Sequence, residues 1–436
     1  MSTPLPPATV AGPSPTIPLR YLGTAASAYL LAALGVVWLA PELSRHYYHP
    51  RLLALTHLVT LGWITLSIMG ASYQIVPIAL GRPYWSERLA RWQLWILVAG
   101  VAGMVSHFHL GTWPGLAASA ALVATGIVLH LVNMAMTGRA LRQWTFPTRA
   151  VLLGYVGLAL TALFGLALSV NSLWAFLPGD HLSTLHAHAH LALLGWVTPM
   201  VFGVTARVYP MFLLCPEPAG WLGRVQLWGL GAGVPLLVVG LLAAPGLALP
   251  GTLGVAAAAM GHGLSLIVMI RGRKRPALDW GLRFTLTGAT FLVPSIGVGL
   301  GLVLGVLSGP RAALAYAVLA LGGWISLTIA GMMLKIVPFL VWYRVYGAQA
   351  GRAPVPTLAQ LSSPRAEALA YALLTAGTAL LAVAAAMGEA AWIRSAGIVL
   401  ALGAVAFAAA LARVLGHLAA PRPAPRVAPS AGLRVP

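Results

Sequence analysis

"HLVTLGWITLSIMGASYQIVP" runs from His57 to Pro77, and "HLALLGWVTPMVFGVTARVYP" runs from His190 to Pro210. A third string, "VLALGGWISLTIAGMMLKIVP", runs from Val318 to Pro338. Set in register on Trp63, Trp196 and Trp324, the three align without a gap. Glycine precedes each tryptophan (Gly62, Gly195, Gly323), a second glycine follows (Gly70, Gly203, Gly331), and proline closes each copy (Pro77, Pro210, Pro338). The residue three before each proline is polar: Gln74, Arg207 and Lys335. Such self-similarity at a fixed interval marks a repeated structural unit.

The tryptophans lie 133 and 128 residues apart, and the apolar runs between them say what the unit is. Of the 436 residues 59% are hydrophobic and only 8% charged, against about 25% charged in soluble domains. Twelve runs, from about 21–41 to about 391–415, reach the roughly 20 residues that cross a bilayer core of about 30 Å. The expected fold is therefore an all-α polytopic membrane protein of twelve transmembrane helices, arranged as three pseudo-symmetric four-helix repeats. The repeats span about 20–148, 149–280 and 281–417, within a membrane domain of 20–417. Between the first two copies the match extends further: Gln93–Trp95 recurs as Gln226–Trp228, and His130 as His262. Glycines seven residues apart on one helix face let helices approach closely, and the prolines mark a bend near one helix end. Residues 1–19 are proline-rich and lack the order of a signal peptide. Both they and 418–436, biased toward Pro, Ala and Arg, are expected to be disordered tails.

The formal net charge is +19, and its distribution sets topology. With both termini cytoplasmic, only Arg45, Arg51, Arg311 and Arg394 lie outside, 4 of the 26 basic residues. That is a strong positive-inside asymmetry; it assigns the charge to an inner (plasma) membrane, with lipid as the partner and no nucleic acid. Cys215 is the only cysteine, which excludes disulfides within the chain and thiolate metal clusters.

Ionisable side chains inside a membrane are costly and mark functional sites. The seven carboxylates, Glu42, Glu87, Asp180, Glu217, Asp279, Glu367 and Glu389, all fall in loops or at helix ends. The histidines do not. His57 opens the second span; His186, His188 and His190 open the sixth in "LHAHAHL"; His107 and His109 end the third in "SHFHL". All six are expected at one depth, toward the outer side, where three helices offer imidazoles to a shared metal or haem. At about 100° per residue, His186 and His190 share a face and His188 points the opposite way, so one helix serves two sites. Imidazole is the commonest metal ligand near neutral pH; with no thiolate or carboxylate at this depth, copper and haem iron are favoured over zinc. His46, His49 and His181 read as solvated loop residues. His130, His262 and His417 read as helical histidines bonded to a neighbouring carbonyl.

Twelve crossings in three four-helix repeats, with histidine on the second helix of a repeat, resemble the large subunit of the haem–copper oxidase and nitric oxide reductase superfamily. "HAHLALLGW" at His188–Trp196 is similar to that superfamily's H-x-H, in which one histidine binds the active-site haem and the other a low-spin haem across the helix. The resemblance implies His188 and His190 as haem ligands; His57 takes a copper place with His107 and His109 in one mapping and is a low-spin haem ligand opposite His190 in another, while the shared depth adds His186 to His107 and His109 as an expected metal ligand. The resemblance also implies haem of b type, copper as a second cofactor, and a small cytochrome or cupredoxin-type electron donor. The expected roles are respiratory electron transfer or nitric oxide chemistry and protection; handling or transport of copper or haem and a non-catalytic scaffold are the alternatives. The H-x-H lies on the sixth crossing where the family has it on the tenth, and the tenth carries Val318. An oxidase carries tyrosine four residues after its copper histidine; Leu61 and Leu194 stand there. The chain also resembles the twelve-crossing haem- and copper-containing membrane proteins of bacterial nitric oxide response, in its histidine-headed second crossing and the Gly81-Arg82-Pro83 loop.

Overall fold

The computed structural model describes residues 14–139 and 141–420, and is helical with no strand among them. Among the described residues twelve helices are long and apolar enough to cross a membrane: α1 (Thr16–Trp38), α2 (Pro50–Leu80), α3 (Glu87–Leu110), α4 (Trp113–Gly138), α5 (Phe146–Trp174), α6 (His181–Leu213), α7 (Gly220–Leu242), α8 (Pro245–Arg271), α9 (Trp280–Val303), α10 (Gly309–Gln349), α11 (Pro364–Met387) and α12 (Ala390–Leu418). Helix α1 begins four residues before the expected boundary at residue 20, and the chain is helical to Leu418. The remainder of both expected tails, 1–13 and 421–436, lies outside the described residues.

Local chemistry sets the helix ends. The Asp180 carboxylate accepts from the Ser183 amide at 2.8 Å and starts α6, and Asp279 accepts from Leu282 at 3.0 Å to start α9. These contacts satisfy amides that have no partner within the helix. Pro294 interrupts α9 at Phe291, because proline lacks the N–H that the Thr290 carbonyl would otherwise receive. Near the ends of α2 and α6, the residue four after the repeat proline turns left-handed: Gly81 (φ 61°) and Leu214 (φ 54°). The next amide, of Arg82 or Cys215, donates back to the proline carbonyl, 3.1 Å in each case. Leu214 holds a conformation that usually calls for glycine. Exposed tryptophans gather toward helix ends, Trp38, Trp113, Trp174 and Trp392 on one side and Trp92, Trp95, Trp221 and Trp228 on the other, as interfacial belts do.

The repeated segments form the interior of the bundle. Trp63, Trp196 and Trp324 are all 2% exposed or less. In each copy the tryptophan lies within a π-helical stretch: Leu58–Thr65, Leu191–Val197 and Val318–Ser326. Wide turns of this kind recur at functional sites. The second glycine of each copy touches the helix before it. A Cβ on Gly70 would fall 2.7 Å from Tyr21 Cβ in α1, on Gly203 2.9 Å from Ala150 Cβ in α5, and on Gly331 2.4 Å from the Gly281 carbonyl in α9. The copies also meet one another. Trp63 Nε1 donates to Ser326 Oγ at 3.0 Å, and Trp196 Nε1 donates to Thr65 Oγ1 at 3.4 Å. Both acceptors are the hydroxyl two residues beyond a repeat tryptophan, a position filled by Thr65, Thr198 and Ser326.

Candidate functional site

The start of α2 and the start of α6 lie on one side of the bundle, called here the histidine side; the repeat prolines lie toward the other, the proline side. On the histidine side a cavity of about 1220 Å³ is lined by segments of α2 through α10, with His57, His186, His188 and His190 in its wall. Its size exceeds the roughly 300–1,000 Å³ of ordinary small-molecule pockets. His46, Tyr48 and His181, all exposed, stand at its mouth.

His57 and His190 hold the same repeat position, six residues before the tryptophan, and the structure gives them the same setting. His57 Nδ1 lies 2.7 Å from the Leu53 carbonyl, and His190 Nδ1 lies 2.8 Å from the His186 carbonyl. A carbonyl only accepts, so each Nδ1 carries the proton and each Nε2 of the neutral ring keeps its lone pair. No described residue hydrogen-bonds either Nε2. This is the outer-shell bond that orients ligating histidines. A π-helical turn follows each ring directly, at Leu58 and Leu191.

The two histidines of the H-x-H are directed to opposite sides of α6, as their spacing requires. His188 packs against α5, with the Phe164 ring edge-on at 5.8 Å. A Cβ on Gly165 would fall 3.0 Å from His188 Cε1, so a bare backbone there makes room for the imidazole. His188 Nδ1 is buried without a hydrogen-bond partner. His190 instead stacks on Tyr316 of α10, at 5.7 Å and 17°. His57 stacks on Phe108 of α3, at 5.0 Å and 24°.

The remaining expected ligands are placed differently. His186 Nε2 lies 2.8 Å from Tyr47 Oη. Whichever group donates, that hydrogen bond occupies the nitrogen. His107 and His109 are not among the cavity-lining residues. Gly111, left-handed at φ 68°, ends α3 just beyond them, and the residue facing α2 is Phe108, about 100° around the helix from each. His107 bonds Thr112 Oγ1 at 2.6 Å and lies against Gly115, where a Cβ would meet it at 2.1 Å. His109 is exposed. Among the described residues no group of three or more His, Cys, Asp or Glu is arranged to hold a metal ion. His57, His186, His188 and His190 thus open onto a cavity large enough for a cofactor, and His107 and His109 do not.

Of the other histidines, His417 bonds Tyr346 Oη at 2.8 Å, and His262 stacks on Phe202 at 4.0 Å and 9°. These settings correct the expected bond to a neighbouring carbonyl: His417 meets a hydroxyl, His262 a ring face, and neither nitrogen of His130 has a partner. Sequence reasoning missed Tyr316 on α10, Phe108 on α3, Gly165 on α5 and Tyr47 in the loop between α1 and α2. It also passed over Thr65, Thr198 and Ser326, which the gapless repeat alignment already displayed.

The fold and site define a polytopic all-α membrane protein with a histidine-lined cavity in one half of the bundle. The chain is similar to quinol oxidase subunit 1 of Sulfolobus acidocaldarius, 25% identical over 197 residues. The match covers 41% of this chain and 38% of that protein's length. No family model matches the chain.

Proposed function

We propose that the cavity binds haem of b type through His57, His188 and His190, and that the protein is a divergent relative of haem–copper oxidase large subunits, acting in respiratory electron transfer or nitric oxide chemistry. The observation that carries this reading is the pair of equivalent imidazoles in a large apolar cavity, each with Nδ1 bonded to a carbonyl and Nε2 free. His57 and His190 would hold it through the free Nε2 of each ring, His190 beside Tyr316, and His188 would add a third imidazole. The orphaned Nδ1 of His188 and the space left by Gly165 support the same assignment. The similarity to a quinol oxidase subunit supports the class of protein.

When bound, haem would supply one-electron chemistry. This chain's residues would hold it: backbone carbonyls orient His57 and His190, Phe108 and Tyr316 cover the ring faces, and the apolar walls exclude water. His107, His109 and His186 have no ligand role in this arrangement. Spectroscopy of the detergent-purified full chain from haem-replete cells tests the proposal. A Soret band with near-stoichiometric haem is expected; protein free of haem would overturn it and leave the architecture standing.

A further inference from the structure

A second group of buried polar side chains lies below the cavity, among α2, α3, α4 and α5. Tyr73 donates to Gln93 Oε1 at 2.6 Å, and Asn133 Nδ2 donates to Tyr73 Oη at 3.3 Å and to the Ser86 carbonyl at 2.9 Å. Tyr73, Gln93, Asn133 and His130 are all 0% exposed. The His130 ring lies edge-on between two tyrosines, 5.3 Å from Tyr73 and 5.6 Å from Tyr155. Tyr84, in the loop between α2 and α3, adds its ring 5.3 Å from Tyr73.

Both His130 nitrogens are without a hydrogen-bond partner, and Tyr155 Oη and Tyr84 Oη make no hydrogen bond of good geometry, though Ser72 lies near the first and Glu87 near the second. Buried polar groups are almost always satisfied by protein or by ordered water. One orphan atom is ordinary, but a fully buried imidazole with neither nitrogen bonded, set edge-on between two phenols, is not. A buried water needs two to four polar partners, and the imidazole together with its flanking phenols offers them. The equivalent histidine of the second repeat, His262, has its ring face covered by Phe202 instead.

The contacting rings form a file with two ends. Toward the proline side, Tyr84 has the exposed Glu87 and Arg91 as charged neighbours. Toward the histidine side, Ile127 and Leu158, about one turn from His130 and Tyr155, line the cavity. Trp196, another lining residue, stacks on Tyr155 at 5.9 Å and 24°. No carboxylate stands between these ends.

We propose that His130, with Tyr73, Tyr84 and Tyr155, forms a hydration site that relays protons from the proline side to the floor of the cavity. A neutral imidazole accepts a proton from a bound water at one nitrogen and releases its own from the other to the next. One proton advances, and no electron moves. The site does not depend on what fills the cavity, so absence of haem would leave it standing.

Two measurements on the full chain test it. A density map of the protein in nanodiscs, at a resolution that shows water, is expected to place water within hydrogen-bond distance of His130 and Tyr155. A dry site overturns the proposal. In proteoliposomes under a potassium diffusion potential, an internal pH dye is expected to report proton uptake, lowered at least about tenfold by His130→Phe and severalfold by Tyr155→Phe. His130→Gln, which keeps a donor and an acceptor, is expected to fold and hold water yet conduct as poorly as His130→Phe. His262→Phe is expected to match the parent. No uptake by the parent protein, or equal uptake by parent and His130→Gln, overturns the relay.

Discussion

His57 and His190 occupy one place in two copies of the same helix, and each ring is fixed by the carbonyl four residues before it. This makes residue-level predictions sharp. Replacing His57, His188 or His190 with alanine is expected to lower the haem content of purified protein by about tenfold or more, since even outer-shell partners of metal ligands act on the 10–100-fold scale. His107→Ala and His262→Ala are expected to leave it nearly unchanged, because the first ring packs on Gly115 and the second on Phe202. Gly165→Ala is expected to resemble His188→Ala, since its methyl would stand 3.0 Å from the ring. Haem-to-protein ratios decide the set: retention in all three ligand variants would remove the histidines from the site. The residues themselves were legible, because histidine in an apolar helix is rare enough to notice. Which of them face one another was not legible, because Phe108, Tyr316 and Gly165 come from other helices.

Among the elements, α5 and α6 approach so closely that a Cβ on Gly157 would fall 2.0 Å from the Gly195 carbonyl. Gly157→Ala must therefore push two backbones apart. It is expected to destabilise by about 1–3 kcal/mol, the usual cost of overpacking, read as a lowered thermal midpoint in detergent. Gly23→Ala in α1, with nothing within 4 Å, is the control and is expected to hold or raise the midpoint, alanine being the better helix former. The start of α6 makes a second element-level prediction. The Ser183 amide and hydroxyl bonded to the Asp180 carboxylate hold it below the usual carboxylate range. A lowered pKa in the folded state means that the cap contributes fully above the unfolded value of about 3.9 and is lost as pH falls through the folded value. Asp180→Ala is expected to lower the midpoint at neutral pH and to flatten its fall between about pH 5 and pH 2. Parallel curves for parent and variant would count against the cap. Such ends were readable from the sequence, since Asp-x-x-Ser and Asp-x-x-Leu before apolar runs follow known capping chemistry. The π-helical turns were not, because they depend on how the wide backbone fits its neighbours.

At the scale of the molecule, the basic residues predict that the proline side is cytoplasmic. Reporter fusions after Gly115 and after Arg149 are expected to report outside and inside; the reverse pair would turn every histidine to the other face of the membrane. Length, apolar runs and charge determined the class of this protein and its twelve crossings, because a bilayer imposes one length and one polarity on each span. The gapless repeat determined that α2, α6 and α10 would be built alike, and the glycine contacts to α1, α5 and α9 follow from it. Tertiary structure alone decided the rest. It stacked His57 on Phe108 and His190 on Tyr316, left His107 and His109 out of the cavity wall, and left His130 between two tyrosines without a partner. The physical reason is the same in each case. A helical sequence fixes the angle at which a side chain leaves its own helix, but what that side chain meets is set by the rotation and depth of the helices packed around it.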